Sequence, residues 1–247
     1  MIKAVLFDLG GTLHKSSSPP GRDLWFAQRL IERFSDYGIK LEGGAELLAG
    51  RLAINSEVYK HESEVTLREL PSAQIWSDYY LREYGLERER IEPFAEELSF
   101  LYDYERPCVM RREHLKETMT ELKAMGLHLG VISNIISRSV VRHFLAEYGI
   151  EALMDCVITS AETGIRKPSP EIFRIAEKAM GLKPEELCYV GDTISRDVIG
   201  TRNAGWAMMI QIQNPSIAHR DAGLEHSGYM PDALIEDLAE IPSILKQ

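Results

Sequence analysis

Four short segments carry residues that could do chemistry together. Asp8-Leu9-Gly10-Gly11-Thr12 places a carboxylate directly after the apolar run that ends at Phe7, then two glycines. Glycines let a backbone approach a ligand closely, so the carboxylate can be aimed into a crevice; alone, the segment also reads as a polar turn. Ser133-Asn134 follows Val131-Ile132 and offers a hydroxyl and backbone N–H groups suited to phosphate oxygens, or simply a helix start. Gly164-Ile165-Arg166-Lys167-Pro168 supplies Lys167, a cation that could neutralise a phosphoryl group or merely sit in water. Gly191-Asp192-Thr193-Ile194-Ser195-Arg196-Asp197 holds two carboxylates in the pattern of an oxygen site for a hard cation such as magnesium, although Asp197 could instead favour a helix N-terminus.

The elements that must position these segments are legible as periodicity. Lys3 to Phe7 is short, apolar and β-branched and stops at Gly10-Gly11, which predicts a buried strand. Ser16 to Gly21 has the composition of a loop. From Arg22 to about Glu105 apolar residues recur at helical spacing (Trp25, Leu30, Ile31, Phe34; then Leu47, Leu48, Leu52; then Trp76, Tyr79, Tyr80, Tyr84) with no clear strand pattern, which predicts about four helices. After Arg111 helices and strands alternate: helix 113–125, strand 127–132, helix 137–148, strand 156–158, helix 170–180, strand 187–190, helix 195–204, strand 207–210, and a last strand 233–235 before a terminal helix. Alternation of this kind predicts a parallel sheet covered on both faces, whose ligands bind at the C-terminal strand ends. The expected architecture is an α/β core, residues 1–14 and 106–247, with an all-helical insertion at 15–105.

Composition bounds the function. The 247 residues are 45% hydrophobic and 27% charged, ordinary for a globular protein that buries a core. A formal charge of -10 argues against nucleic acid or an anionic membrane as partner, but not against a small anionic substrate. Cys108, Cys156 and Cys188 match no metal spacing; Cys156 and Cys188 read as buried thiols, which fits a reducing cytoplasm. The start, MIKAVLFDLGG, is read as neither signal peptide nor membrane span.

The four segments, in this order at four strand ends, resemble the motifs of the haloacid dehalogenase superfamily over essentially the whole chain, and Asn203-Ala204-Gly205 resembles its usual run after the fourth motif. The insertion between first and second motifs resembles its type-1 helical cap, as in phosphoglycolate-phosphatase-like members. The resemblance implies a Rossmann-like core and a phosphatase working on a small phosphorylated metabolite with magnesium (Mg2+). Asp8 would be the nucleophile, forming an aspartyl-phosphate that water hydrolyses. Asp8, the Gly10 carbonyl and Asp192 would hold the metal with Asp197 supporting, while Ser133, the Asn134 backbone and Lys167 would hold the phosphoryl oxygens. Thr12 would steady the loop through its hydroxyl.

Gly10 departs from the pattern. Most phosphatases of the superfamily carry aspartate there, acting as acid toward the leaving group and then as base toward water. A positioned acid–base contributes roughly 10²–10⁴-fold in rate, so its loss slows esters with poor leaving groups most. Three readings stay open: a phosphatase that recruits another group, such as His14, or takes a substrate with a good leaving group; phosphonate-type chemistry using a lysine of the insertion, Lys40 or Lys60; or a binding module without turnover. Arg22, Arg29 and Arg51 are candidates for holding a second anionic group of the substrate.

Overall fold

The computed structural model describes residues 1–224 and 227–246. Strands β1 (Ala4–Phe7), β2 (His14–Ser17), β3 (Cys108–Arg111), β4 (His128–Ser133), β5 (Cys156–Thr159), β6 (Leu187–Gly191), β7 (Met208–Ile212) and β8 (Ala233–Ile235) form two sheets. Six of them make one sheet in the order β5-β4-β1-β6-β7-β8, all neighbours parallel. β1 lies between β4 and β6, so Asp8 emerges beside Ser133-Asn134 on one side and Asp192 on the other. This is the Rossmann-like α/β core expected of the alternation.

The two-residue period of β1 divides the core. Val5 and Phe7 join Leu129, Val131 and Val190 on one face, packed by helices α4 (Leu115–Ala124) and α5 (Val140–Glu147). Ala4 and Leu6 join Ile132, Tyr189 and Met209 on the other, packed by α6 (Pro170–Met180) and α7 (Ile199–Ala204). With both faces covered, β1 is wholly buried and apolar along its length, as a central parallel strand must be.

A separate apolar cluster lies in the helical stretch, centred on Trp76, Phe26, Phe34 and Leu98, with Ile136 reaching it from the α/β part. Its long helices are α1 (Arg22–Asp36), α2 (Gly44–Thr66) and α3 (Ala95–Tyr104); residues 72 to 94 run through short helical turns, including a π-helical segment, Ile75–Tyr80. The inward face of α1 is Phe26, Leu30 and Phe34 rather than the expected one beginning at Trp25, which is 42% exposed with the Arg22 guanidinium 4.0 Å over its ring. Leu47 is likewise exposed while Leu48 and Leu52 are buried.

Two further expectations are corrected. Ser16 and Ser17, read as loop, belong to β2, which pairs antiparallel with β3. Neither strand is visible in the sequence because each is only four residues long and pairs with a segment far along the chain. Cys156 is only partly buried, whereas Cys188 is fully so, and all three cysteines are free thiols. Among the described residues no helix is long and apolar enough to cross a membrane.

Candidate active site

The nucleophile candidate is fixed by a tight turn. Gly11 N–H donates to the His14 carbonyl and the Leu13 N–H to the Leu9 carbonyl, turning the chain immediately after Asp8. Gly11 takes φ +88, and a Cβ there would fall 1.7 Å from Asp192 Oδ2, so the first loop and the fourth touch only because this residue has no side chain. Gly191 has a similar duty: a Cβ would lie 2.5 Å from the Asp197 carboxyl carbon. Gly10 differs, since nothing lies within 4 Å of a Cβ built there and the residue is exposed.

Lys167 is the hub. Its ammonium, 2% exposed as a residue, lies 2.9 Å from Asp8 Oδ1 and 2.7 Å from Asp197 Oδ1, and donates to the Tyr189 hydroxyl at 2.8 Å. Tyr189 donates onward to the Ile132 carbonyl. The Asn134 side chain grips the Lys167 backbone from both sides, accepting from its N–H at 2.8 Å and donating to its carbonyl at 3.0 Å. Asn134 thus positions the lysine through its amide group, beyond the phosphate-binding role expected of its backbone.

Asp197 is committed to holding the site together. Its Oδ2 accepts from the backbone N–H of Asp192 and Thr193 and from the Thr193 hydroxyl, while Oδ1 faces Lys167. Burial alone would raise its pKa, but the charges of Lys167 and Arg196 and these hydrogen bonds hold it below the usual carboxylate range. A π-helical segment, Ile194–Val198, makes this possible by widening the turn, with Val198 N–H reaching the Thr193 carbonyl. Asp221 accepts the Ile194 and Ser195 N–H groups at its start.

Asp192 has the opposite fate. It is 4% exposed, its carboxylate receives one hydrogen bond among the described residues, from Asn214, and its Oδ1 is buried without a partner. Burial, then repulsion by Asp197 and Asp8, pushes it up to about 7. Asp8 is also raised, by burial against the opposing pull of Lys167. Oxygen atoms of Asp8, Asp192 and Asp197 lie within 4.8 Å of one another, and the close ammonium serves only Asp8 and Asp197. Three buried carboxylates with one bonded lysine and the more distant charge of Arg196, and with an Asp192 oxygen that has no partner, fit a small divalent cation such as magnesium.

The site opens into a cavity of about 100 Å³ lined by Asp8, Gly10, His14, Ser133, Asn134 and Lys167, with Arg196 and Asp103 also on its wall. Thr12 is fully buried, and its hydroxyl has no partner among the described residues, so the expected bond steadying the loop is not made. That work falls to Arg112, whose guanidinium donates twice to the Gly11 carbonyl, at 3.1 and 2.6 Å, and also to the Gln213 carbonyl. Burial pushes His14 down to about 4; its Nδ1 lies 2.9 Å from the Tyr148 hydroxyl.

The sequence model of the haloacid dehalogenase-like hydrolases matches residues 2–205. The chain belongs to that family. This hydrolase is 30% identical to a glyceraldehyde 3-phosphate phosphatase of Methanothermobacter thermautotrophicus, over 99% of this chain and 100% of the relative. It is 26% identical to the human N-acylneuraminate-9-phosphatase, over 99% of this chain and 94% of that protein. The crystal structure of a 2-haloacid dehalogenase from Pseudomonas syringae pv. Tomato DC3000 has the same fold, with a TM-score of 0.65 at 22% identity over 100% of this chain and 99% of that one.

The arginines proposed from the sequence for a second anionic group are engaged elsewhere. Arg22 donates to the Glu105 and Arg106 carbonyls, Arg29 pairs with Glu105 and Glu32, and Arg51 stacks on Tyr84. None of them lines the catalytic cavity. Lys40 is an exposed partner of Glu42, and Lys60 pairs with Glu57. Tyr189, Arg112, Asn214 and Arg196 escaped the sequence reading. Tyr189 stood inside an apolar strand, where a tyrosine passes for packing, and the others carry no signal in spacing.

Proposed function

We propose that this hydrolase is a phosphatase that cleaves a small phosphorylated metabolite, with Asp8 as nucleophile and magnesium as cofactor. The observation that carries the reading is the chain Asp8–Lys167–Asp197 at adjoining strand ends, beside an Asp192 oxygen that is buried and unpartnered. The names of the phosphatase relatives support the substrate class.

Asp8 attacks phosphorus in line as the ester P–O bond breaks and the alcohol departs with a proton from solvent, and it carries the phosphoryl group until water displaces the carboxylate and releases phosphate. Lys167 is close enough to Asp8 Oδ1 to follow the charge onto the phosphoryl oxygens, and Ser133 and Asn134 share that cavity. Asp8, Asp192 and the Gly10 carbonyl would hold the metal, with Asp197 orienting Lys167 and the fourth loop. When bound, the metal would neutralise the phosphoryl group's charge and offset the repulsion among the carboxylates. The helical stretch, residues 15–105, serves as a cap, and the β2–β3 pair as its stem. His14 lines the cavity, but with its imidazole pushed down to about 4 it is neutral near pH 7 and has no proton to give a leaving group.

Release of p-nitrophenol from its phosphate ester tests the reading, because that leaving group needs almost no protonation and so bypasses the gap at Gly10. Turnover should require magnesium and vanish in Asp8→Asn. Turnover by clean Asp8→Asn protein would remove Asp8 from the role, and a folded wild type inert with magnesium would overturn the phosphatase reading.

A further inference from the structure

Next to the catalytic cavity is a recess of about 270 Å³ between α2, α3 and the strand-end loops. Asp103, Asn134, Ile135 and Arg196 line both, so the two spaces adjoin. Five cationic side chains line the recess (Lys60, Arg106, Arg166, Arg196 and Arg220) against three carboxylates, Glu57, Glu64 and Asp103. Burial pushes Asp103 up to about 8, so near neutral pH it adds little negative charge.

Three of the cations already have partners: Lys60 has Glu57, Arg106 has Asp23, and Arg166 has Glu69. Arg196 and Arg220 do not. Among the described residues neither guanidinium makes a hydrogen bond or ion pair, and the Nε atoms of Arg166, Arg196 and Arg220 are all buried without an acceptor. Leaving guanidinium donors desolvated and unpaired is costly, and protein interiors do so rarely. Arg220 is held below the usual guanidinium range by burial and by the charge of Arg196, which outweigh the opposing pull of Glu64, Asp192 and Glu57. Planar forks of N–H donors suit carboxylate or phosphate oxygens.

We propose that this recess binds a second anionic group of the substrate, a carboxylate or a further phosphate, and so selects phosphate monoesters whose far end is acidic. The inference rests on the phosphatase reading for the near end. Arg196 stands where the two spaces meet and can touch either anion, whereas Arg220 and Lys60 line only the recess, which makes Arg220 the discriminating residue. The two spaces, about 270 and 100 Å³, are together of metabolite size.

The test uses one carbon skeleton with three end groups: glycerol 3-phosphate, glyceraldehyde 3-phosphate and 3-phosphoglycerate. A fourth probe, 1,3-propanediol bisphosphate, distinguishes phosphate from carboxylate at the far end. Affinities are measured by calorimetry on Asp8→Asn protein with magnesium, so that nothing turns over, and kcat/KM on wild type. At least one of the two doubly anionic probes should bind roughly tenfold or more tighter than the alcohol and aldehyde, as charge-assisted bonds do. Adding Arg220→Gln should erase that preference, chiefly through KM in the active enzyme. Equal affinity across the four probes overturns the proposal, and this comparison needs no recess variant to fold. A preference that survives both Arg220→Gln and Arg196→Gln overturns it as well. Preferential binding without any aryl phosphate turnover by wild type would instead sink the phosphatase reading and uphold the recess.

Discussion

At position 10 the chain leaves out a side chain that its surroundings would accept. The backbone there is not left-handed, the space is open, and the residue lines the catalytic cavity. Gly10→Asp should therefore fold normally and, if proton transfer limits turnover, raise kcat for alkyl phosphates by roughly ten- to a hundredfold while changing p-nitrophenyl phosphate little. Steady-state rates on the two ester types check this; an equal or lower alkyl rate in the variant would mean that proton transfer is not limiting. Gly11 is a different case. With φ +88 and Asp192 against it, any side chain must push the fourth loop away. Two adjacent glycines, indistinguishable in the sequence, thus have unrelated reasons to be there.

Elements decide how accurately these residues meet. The strands that carry the four motifs were legible because a central parallel strand has to be apolar throughout, and Pro170–Met180 could be read residue for residue from its period. The π-helical turn at Ile194–Val198 was not, since its wider spacing depends on hydrogen bonds to Asp197 and Asp221 rather than on residue type. The β2–β3 pair escaped for the same kind of reason: eight residues whose pairing partner is far along the chain. Asp8, Lys167, Asp192 and Asp197 could be named because each closes or follows a strand. Arg112, which ties the first loop to two others, could not. It donates to the carbonyls of Gly11, Gln213 and Glu236. Arg112→Ala leaves those carbonyls without a donor and should lower stability by about 1–3 kcal/mol. It should also reduce kcat on p-nitrophenyl phosphate at least tenfold, because Asp8 loses its fixed turn. Arg112→Lys should recover only part of both, one ammonium being a poor substitute for a planar fork. Melting curves and rates read the two effects separately, and a variant as active as wild type would show that the turn holds itself.

Over the whole molecule, acidity is a lever on stability through His14. Folding holds its imidazole at about 4, against 6.5 ordinarily, so between these values the unfolded chain binds a proton that the native one does not. The native state is therefore favoured fully above about pH 6.5 and loses roughly 3 kcal/mol from this residue as pH falls toward 4. His14→Gln should be less stable than wild type near pH 7, having lost the Tyr148 contact, yet flatter on acidification. The melting temperatures of the two proteins should converge at pH 4.5; parallel profiles would assign the acid sensitivity to other groups.

The helical stretch and the lysine loop are joined more closely than the chain order suggests. Glu69 N–H donates to the Gly164 carbonyl, Arg166 N–H to the Leu67 carbonyl, and the Arg166 guanidinium is paired with the Glu69 carboxylate, which also receives the Tyr59 and Ser160 hydroxyls. Arg166 is the residue immediately before Lys167. Opening wide enough to exchange a bound molecule must either break this buried knot or carry Lys167 away from Asp8. The lysine that pairs with Asp8 is in that sense moored to the helical stretch as well as to its own strand end, and a displacement of one is passed to the other unless the knot gives way.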